Sequence, residues 1–214
     1  LERGYDTQRG TFVQHYDTDE VDAALLVLPQ VGFVDGDDPR MLGTIARACV
    51  TREFTILATG KTSPVASWLR ALAAREHDRC GGPGVGAVGM CFTGGFALAM
   101  ATDERMLAPV LSQPSLPFAV LPGRARAIDV SESDLALVQA RCARGLEVMG
   151  LRFQGDRLVP GARFAYLREL LGDAFIGIEL PDEAANPDSM LPRPHSVLTE
   201  DLRDEPGQPT REAY

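Results

Sequence analysis

Three features are missing from the sequence, and each absence excludes a class of protein. No stretch approaches the roughly 18 consecutive apolar residues of a membrane helix, and no basic segment followed by an apolar one stands at the start. Basic charge is also in deficit. The formal net charge is −9, which disfavours nucleic acid because affinity for the phosphate backbone depends on cationic side chains. We therefore expect a soluble protein that is not exported and that binds neither a membrane nor a nucleic acid.

Paired cysteine motifs are the third absence. The four cysteines, Cys49, Cys80, Cys91 and Cys142, form no CxxC pair. A disulfide framework or a zinc site is therefore not expected, and a reducing cytoplasm fits this cysteine usage better. We predict neither a metal nor an organic cofactor.

What the sequence contains is enough apolar residues for a core and an alternation of strand and helix patterns. Of the 214 residues, 45% are hydrophobic. From Phe54 onwards the patterns alternate, which is typical of a parallel sheet covered by helices. A helix capped by Ser63 is predicted to bury Val65, Trp68, Leu69, Leu72 and Ala73. The other predicted elements are strands at 54–59, from 85 up to the turn at Cys91, 107–111, 147–153 and 174–180, and helices from the Ser131 cap until Gly145 and at 162–171.

The stretch from Val85 to Met100 organises the chain. It combines a short apolar strand, a turn with small residues around Cys91, and a helix. Such a turn is a nucleophile elbow, which lifts one side chain above the end of a sheet and needs glycine where strand and helix backbones pass closely. A helix N-terminus also favours the thiolate form of a cysteine. The lifted group here is a thiol.

The first part of the chain has a different character. Apolar spacing predicts a helix from an N-cap at Asp19 to Leu28, and a second helix begins at Asp38-Pro39 and presents Met41, Leu42, Ile45, Ala46 and Cys49. Together they predict a helical hairpin. Three phrases occur here in order: Gly10-Thr-Phe-Val-Gln-His-Tyr-Asp17, Asp22-Ala-Ala-Leu-Leu-Val-Leu-Pro-Gln-Val-Gly-Phe33 and Asp37-Asp-Pro-Arg-Met-Leu-Gly-Thr44.

These phrases resemble a segment of the glucoamylase and trehalase-like glycosidases, over about residues 4–52. A glycosidase needs two carboxylates that flank the scissile bond, and that family's catalytic motifs lie outside this segment. The acidic residues here, Asp17, Asp19, Glu20, Asp22, Asp35, Asp37 and Asp38, are better explained as helix caps and solvated loop. We expect no glycosidase activity.

A cysteine nucleophile needs a base and an acid that orients it. Of three histidines, His15 lies in the glycosidase-like segment and His77 on the polar side of a helix, where we expect it to be exposed. His195 lies in a loop after the last strand, the place of the base in an α/β-hydrolase, and Asp156 follows the strand before it. This order of nucleophile, acid and histidine predicts a triad of Cys91, Asp156 and His195.

Three motifs carry a second resemblance: Gly89-Met-Cys-Phe-Thr-Gly-Gly95, Gly155-Asp-Arg-Leu-Val-Pro160 and Pro194-His-Ser196. Residues 54–214 resemble the dienelactone hydrolase family. The resemblance implies hydrolysis of a small ester or lactone by Cys91, with His195 as base and then acid and Asp156 fixing its tautomer. It also implies that the Phe92 N–H is one oxyanion donor.

Simpler interpretations stay open for the same residues. Cys91 is also explained as a small buried residue, Asp156 as a turn aspartate and His195 as a loop histidine. Separately, Gly84-Val-Gly86-Ala-Val-Gly89 matches GxGxxG, with Asp103 near the distance of a ribose-binding acid. In a dinucleotide site the glycines follow a strand, whereas here they precede and form it. A nucleotide-binding half-domain, which NAD would stabilise, is therefore the weaker reading.

Two departures from the dienelactone hydrolase pattern bear on the predicted site. Thr93 stands where close relatives usually carry glycine, which predicts crowding at the elbow. The glycosidase-like segment also occupies the place of the family's first strands, whose loops supply a second oxyanion donor, and losing one donor costs about 10² to 10³ in rate. The chain is thus predicted to be an incomplete α/β-hydrolase, residues 54–214, preceded by a helical segment, residues 1–53. The alternative to an active hydrolase is a fusion or truncated product without turnover, stable only as an oligomer or not at all.

Overall fold

The computed structural model describes residues 4–13, 15–16, 18, 25, 28–29, 32–35, 38–50, 60–119 and 123–213, and for 45–50 the backbone alone. The chain divides into two units, Leu1–Ile56 and Leu57–Tyr214. Among the described residues, no helix is both long enough and apolar enough to cross a membrane.

The first unit contains a small hairpin and a helix. Strand β1, Tyr5–Asp6, pairs antiparallel with β2, Thr11–Phe12, and helix α1 spans Pro39–Val50. The Thr44 hydroxyl joins the two elements, since it accepts the Phe12 N–H at 2.8 Å and donates to the Arg40 carbonyl. Gly43 permits this packing, because a Cβ there would lie 2.1 Å from the Gly10 carbonyl oxygen.

The structure confirms part of what was predicted for this unit. The helix from Asp38-Pro39 is present, and the Asp38 carboxylate accepts the Arg40 N–H at 2.8 Å, as an N-cap does. The other predicted helix, around residues 19–28, falls largely outside the described residues, so the helical hairpin is seen only in its second half. The predicted strand at 54–59 also lies outside them.

The second unit is built on a parallel sheet of four strands. Its strands are β3, Val85–Met90; β4, Met106–Ser112; β5, Val148–Phe153; and β6, Phe175–Leu180, in the spatial order β3-β4-β5-β6. The carboxyl ends lie on one side of the sheet, because Met90 pairs with Ser112 and Ser112 with Leu151, and β5 and β6 continue only to the paired residues Phe153 and Leu180. Whatever follows each strand therefore meets at one edge of the sheet.

Helices alternate with these strands, as the sequence predicted. They are α2, Pro64–Cys80; α3, Gly94–Met100; α4, Glu132–Cys142; α5, Gly161–Leu171; and α6, Pro209–Glu212. Two predicted N-caps are confirmed, since the Ser63 hydroxyl accepts the Val65 N–H and the Ser131 hydroxyl accepts the Asp134 N–H. The protein is therefore an α/β protein with a parallel sheet and covering helices.

Side chains from the two faces of the sheet enter two cores. One face packs on the helices through residues such as Val148, Phe164 and Leu167. The other packs on the C-terminal segment, where Leu151 and Phe153 meet Val197 and Ala213. Residues 148 and 151 differ in face because successive side chains of a strand point to opposite sides.

The predicted buried face of α2 is wrong in part. Trp68 and Leu72 are 63% and 40% exposed. Leu69 and Ala73 do pack against the core as predicted, and the buried Ala66, which was not predicted, lies with them. The small alanines let the α2 backbone lie close to the core. The sequence pattern was wrong in assigning the two largest apolar side chains, Trp68 and Leu72, to the buried face.

Candidate active site

The turn after β3 has the geometry of a nucleophile elbow. Cys91 adopts φ +54°, a left-handed conformation that is uncommon and strained for a residue other than glycine. It begins a 3₁₀ turn, Cys91–Thr93, that leads into α3. Gly89 makes the sharp reversal possible, because a Cβ there would lie 2.3 Å from the Thr93 carbonyl oxygen. The predicted need for glycine in this strand is confirmed at Gly89.

The Thr93 side chain closes the turn through hydrogen bonds, while the crowding predicted at this position stays a prediction. The Thr93 hydroxyl donates to the Met90 carbonyl at 2.7 Å and accepts the Met90 N–H at 3.0 Å. Both backbone groups of the last strand residue are thereby satisfied.

The structure brings the three predicted site residues together. His195 Nε2 lies 3.3 Å from Cys91 Sγ, and His195 Nδ1 lies 2.7 Å from Asp156 Oδ2. The Asp156 carboxylate is buried, and its Oδ1 accepts the Leu158 N–H at 2.9 Å. Since Nδ1 faces a carboxylate and Nε2 faces sulfur, the imidazole has the orientation that a base for Cys91 requires.

The loop that carries His195 is fixed by a residue that sequence reasoning missed. Asp201 is buried, and its Oδ2 accepts the backbone N–H groups of both His195 and Ser196 at 2.8 Å. The aspartate lies six residues beyond the histidine, and no motif singles it out. Its carboxylate substitutes for the regular hydrogen bonding that an irregular loop lacks.

The charges at the site favour a thiolate and an imidazolium. Burial lowers the pKa of His195, but the Asp156 carboxylate and the Cys91 sulfur outweigh it and raise that pKa to about 10. Burial raises the pKa of the Cys91 thiol, while hydrogen bonds from His195, Ser115 and the Phe92 N–H bring it below the ordinary thiol value. Both shifts favour the ion pair of thiolate and imidazolium over the two neutral groups.

A second loop meets the cysteine from the end of β4. Ser115 is fully buried, its Oγ lies 3.3 Å from Cys91 Sγ, and its N–H donates to the Cys91 carbonyl at 3.0 Å. Sequence reasoning did not single out Ser115. Chain order brings the loop after β4 to the same edge of the sheet as the elbow after β3, but no motif marks the serine within that loop.

The remaining candidates lie elsewhere. His15 contacts the Tyr16 carbonyl, and His77, predicted to be exposed, is half-buried against the Gly82 carbonyl. Gly86 and Gly89 lie inside β3 itself, so GxGxxG does not form a loop between strand and helix, and the dinucleotide interpretation fails. In the part of the chain that the structure describes, no three His, Cys, Asp or Glu side chains are grouped to hold a metal ion.

Fold and site together define an α/β protein with a Cys–His–Asp arrangement at the carboxyl edge of its parallel sheet. A 47-residue segment of the chain is 49% identical to the trehalase of Thermoplasma volcanium and 45% identical to that of Thermoplasma acidophilum. The segment is 22% of this chain, and the chain spans only 8% of the length of either trehalase. No protein-family model matches the chain. No solved structure matches it either.

The trehalase similarity supports the glycosidase-like part of the predicted resemblance, limited to a short segment. The dienelactone hydrolase resemblance of residues 54–214 stays a prediction.

Proposed function

We propose that this protein is a hydrolase of small esters or lactones, of the dienelactone hydrolase type, with Cys91 as its nucleophile. One observation carries the proposal: an unbroken line of contacts runs from Cys91 Sγ to His195 Nε2 and from His195 Nδ1 to the buried Asp156 carboxylate. Sulfur, imidazole and carboxylate in this order activate a thiol for attack on a carbonyl carbon.

The first half of the reaction transfers the acyl group to sulfur. Cys91 Sγ attacks the carbonyl carbon, a C–S bond forms, and the carbonyl π electrons move to oxygen, where the Phe92 N–H supports the negative charge. The oxyanion then collapses and breaks the bond to the alkoxy oxygen. That oxygen takes the proton from the His195 imidazolium, and in a lactone it stays tethered to the acyl chain.

The second half releases the acid. The neutral His195 takes a proton from a water molecule as its oxygen attacks the thioester carbon. Collapse breaks the C–S bond and returns the electron pair to sulfur, which restores the thiolate beside the imidazolium. Asp156 accepts the hydrogen bond from Nδ1 and fixes the tautomer and orientation of the imidazole through both halves.

The glycosidase-like segment adds no second activity in this proposal. Glycoside hydrolysis requires a general acid whose pKa is raised. Asp38, by contrast, is bound by the Arg40 side chain and N–H, which lower its pKa to about 2. That carboxylate serves as a helix cap.

The test is hydrolysis of p-nitrophenyl acetate and of a six-membered lactone by the full chain. Cys91→Ala is expected to abolish turnover in both assays. Cys142→Ala is the matched control, since Cys142 is a half-buried thiol on α4 whose pKa burial raises, and it is expected to leave the rate unchanged. Turnover that survives in Cys91→Ala contradicts the proposal, and a folded wild type without turnover supports the alternative of a fused or truncated chain that has lost activity.

A further inference from the structure

Ser115 touches the nucleophile at two points. Its side-chain Oγ lies 3.3 Å from Cys91 Sγ, and its backbone N–H donates to the Cys91 carbonyl at 3.0 Å. Ser115 is fully buried, so water does not compete for its hydroxyl. The hydroxyl therefore faces the sulfur from a loop that belongs neither to the elbow nor to the histidine segment.

Buried contacts fix this loop on both sides of Ser115. Arg163, on α5, donates to the Pro114 carbonyl at 2.7 Å and to the Pro117 carbonyl at 2.5 Å. Gly94 lets the elbow approach the same loop, since a Cβ there would lie 2.6 Å from Pro114 Cα. Because the guanidinium holds the carbonyls on either side, the Ser115 hydroxyl has a defined position relative to the sulfur.

Three groups converge on Cys91 Sγ. His195 approaches from the segment after β6, the Phe92 N–H from the elbow, and the Ser115 hydroxyl from the segment after β4. The nearby charges are the Asp156 carboxylate behind the imidazole and the Arg163 guanidinium behind the loop. A thiolate has no proton to donate, so opposite a thiolate the hydroxyl must be the donor.

We propose that Ser115 is a catalytic hydrogen-bond donor, which stabilises the Cys91 thiolate and then faces the oxygen of the attacked carbonyl. This inference rests on the proposed function, because it takes Cys91 as the nucleophile. The sequence predicts that the second oxyanion donor is missing together with the family's first strands. The Ser115 hydroxyl, in the loop after β4, is a donor that takes its place. Donors aimed at developing charge are among the strongest contributors to acyl transfer.

The experiment is the pH dependence of Cys91 alkylation by iodoacetamide, followed by mass spectrometry of the peptide that contains Cys91. Loss of a hydrogen bond to a charged sulfur predicts that Ser115→Ala raises the apparent thiolate pKa by about one unit. The alkylation rate on the acidic side of the profile then falls about tenfold. Ser115→Thr keeps a hydroxyl and is expected to restore most of the wild-type profile.

Ser112→Ala is the matched control. Ser112 is equally buried at the end of β4, but its hydroxyl donates to the Gln113 side chain and not to sulfur. Its profile is expected to match the wild type. If Ser115→Ala and Ser112→Ala shift the profile equally, or if neither does, the assignment of Ser115 is overturned. Should Ser115→Ala fail to fold by circular dichroism, Ser115→Thr against Ser115→Val tests the same hydroxyl.

Alkylation needs no ester turnover, so the two proposals fail separately. A pKa shift in Ser115→Ala without any wild-type hydrolysis keeps the thiolate role and refutes the hydrolase. Hydrolysis that depends on Cys91 but not on Ser115, with an unchanged alkylation profile, keeps the hydrolase and refutes the role of Ser115.

Discussion

Strands β3 and β5 each deliver a residue of the candidate site, yet their surroundings differ sharply. On β5, Val148, Leu151 and Phe153 are at most 1% exposed, and the strand has neighbours on both sides. On β3, Val88 and Met90 are 57% and 38% exposed, and among the described residues the strand pairs with β4 alone. The acid is thus carried by the best-covered strand and the nucleophile by the least covered.

The difference shows how a site can be held when one of its strands is poorly covered. Packing positions Asp156, because β5 is buried on both faces. Cys91 is positioned by backbone geometry and polar contacts: the close turn at Gly89, the Thr93 hydroxyl and the loop held by Arg163. Replacing a large side chain by a small one should therefore lower the free energy of unfolding most on β5. Adding a Cβ where two backbone segments pass closely should be most harmful on β3.

The largest expected effect tests packing directly. Phe153→Ala, at a position with no exposure, should lower the free energy of unfolding by about 3–5 kcal/mol through lost burial and a residual cavity. Val88→Ala on β3 should change it by less than about 0.5 kcal/mol. Urea unfolding measures both. Equal losses in the two variants would show that β3 is buried to the same extent as β5 and would contradict the difference between the two strands.

The next effect concerns the residue that β5 carries. Asp156→Asn removes the carboxylate that raises the pKa of His195. The imidazole then loses its proton at a lower pH than in the wild type, so the pH range over which the Cys91 thiolate faces an imidazolium ends at a lower pH. Ester turnover should fall about 10²- to 10⁴-fold. Asp182→Asn is the control, since Asp182 accepts the neighbouring Gly155 N–H without touching His195. If both variants lost turnover equally, the loss would come from a disturbed turn at residues 155–156 and not from the missing Asp156 charge.

The third effect concerns the elbow on β3. Gly89→Ala should cost about 1–3 kcal/mol, because its Cβ would lie 2.3 Å from the Thr93 carbonyl oxygen. It should also slow Cys91 alkylation. Gly86→Ala, on the same strand, brings a Cβ only to ordinary van der Waals distance, 3.5 Å from Ala108, and should be tolerated. Thermal unfolding and the rate of Cys91 alkylation are measured for both variants. If Gly89→Ala is as stable and as reactive as Gly86→Ala, the close approach of Gly89 to the Thr93 carbonyl is contradicted.

The last effect is a pH slope of stability from a buried carboxyl behind the elbow. Asp129 packs on Gly95, and burial raises its pKa to about 7 against the opposing charge of Arg163. The folded chain then holds this proton where the unfolded chain has released it, so stability falls as pH rises from about 4 to 7. Asp129→Asn should flatten that slope, whereas Asp204→Asn, at an exposed ion pair, should not. An unchanged slope in Asp129→Asn would contradict the raised pKa.

Much of the second unit was predictable because its signals are local. Serine caps, apolar periodicity and glycine breaks fix α2, α4 and α5, and short apolar runs fix β3 to β6. The placement of Cys91, Asp156 and His195 followed from their positions after strands of one parallel sheet. Chain order was enough to bring those three residues to one edge.

What the sequence could not reveal depends on long-range contacts. Ser115 and Arg163 occur in no motif, and each acts through sulfur or backbone groups supplied by another element. Asp201 acts within its own loop, where no regular pattern marks it. The buried side of α2 was misjudged for a related reason. Apolar spacing cannot tell that close helix packing selects Ala66 over Trp68.

Both proposals take Cys91 as a thiolate paired with the His195 imidazolium, and the ultraviolet absorbance of the thiolate measures this ion pair. The pH titration of the wild type minus that of Cys91→Ser isolates this cysteine from the other three. We predict a thiolate signal that persists well below the ordinary thiol pKa of about 8.5 and moves up towards it in His195→Gln. If the thiolate signal appears only near the ordinary thiol pKa, both in the wild type and in His195→Gln, Cys91 and His195 do not form this ion pair.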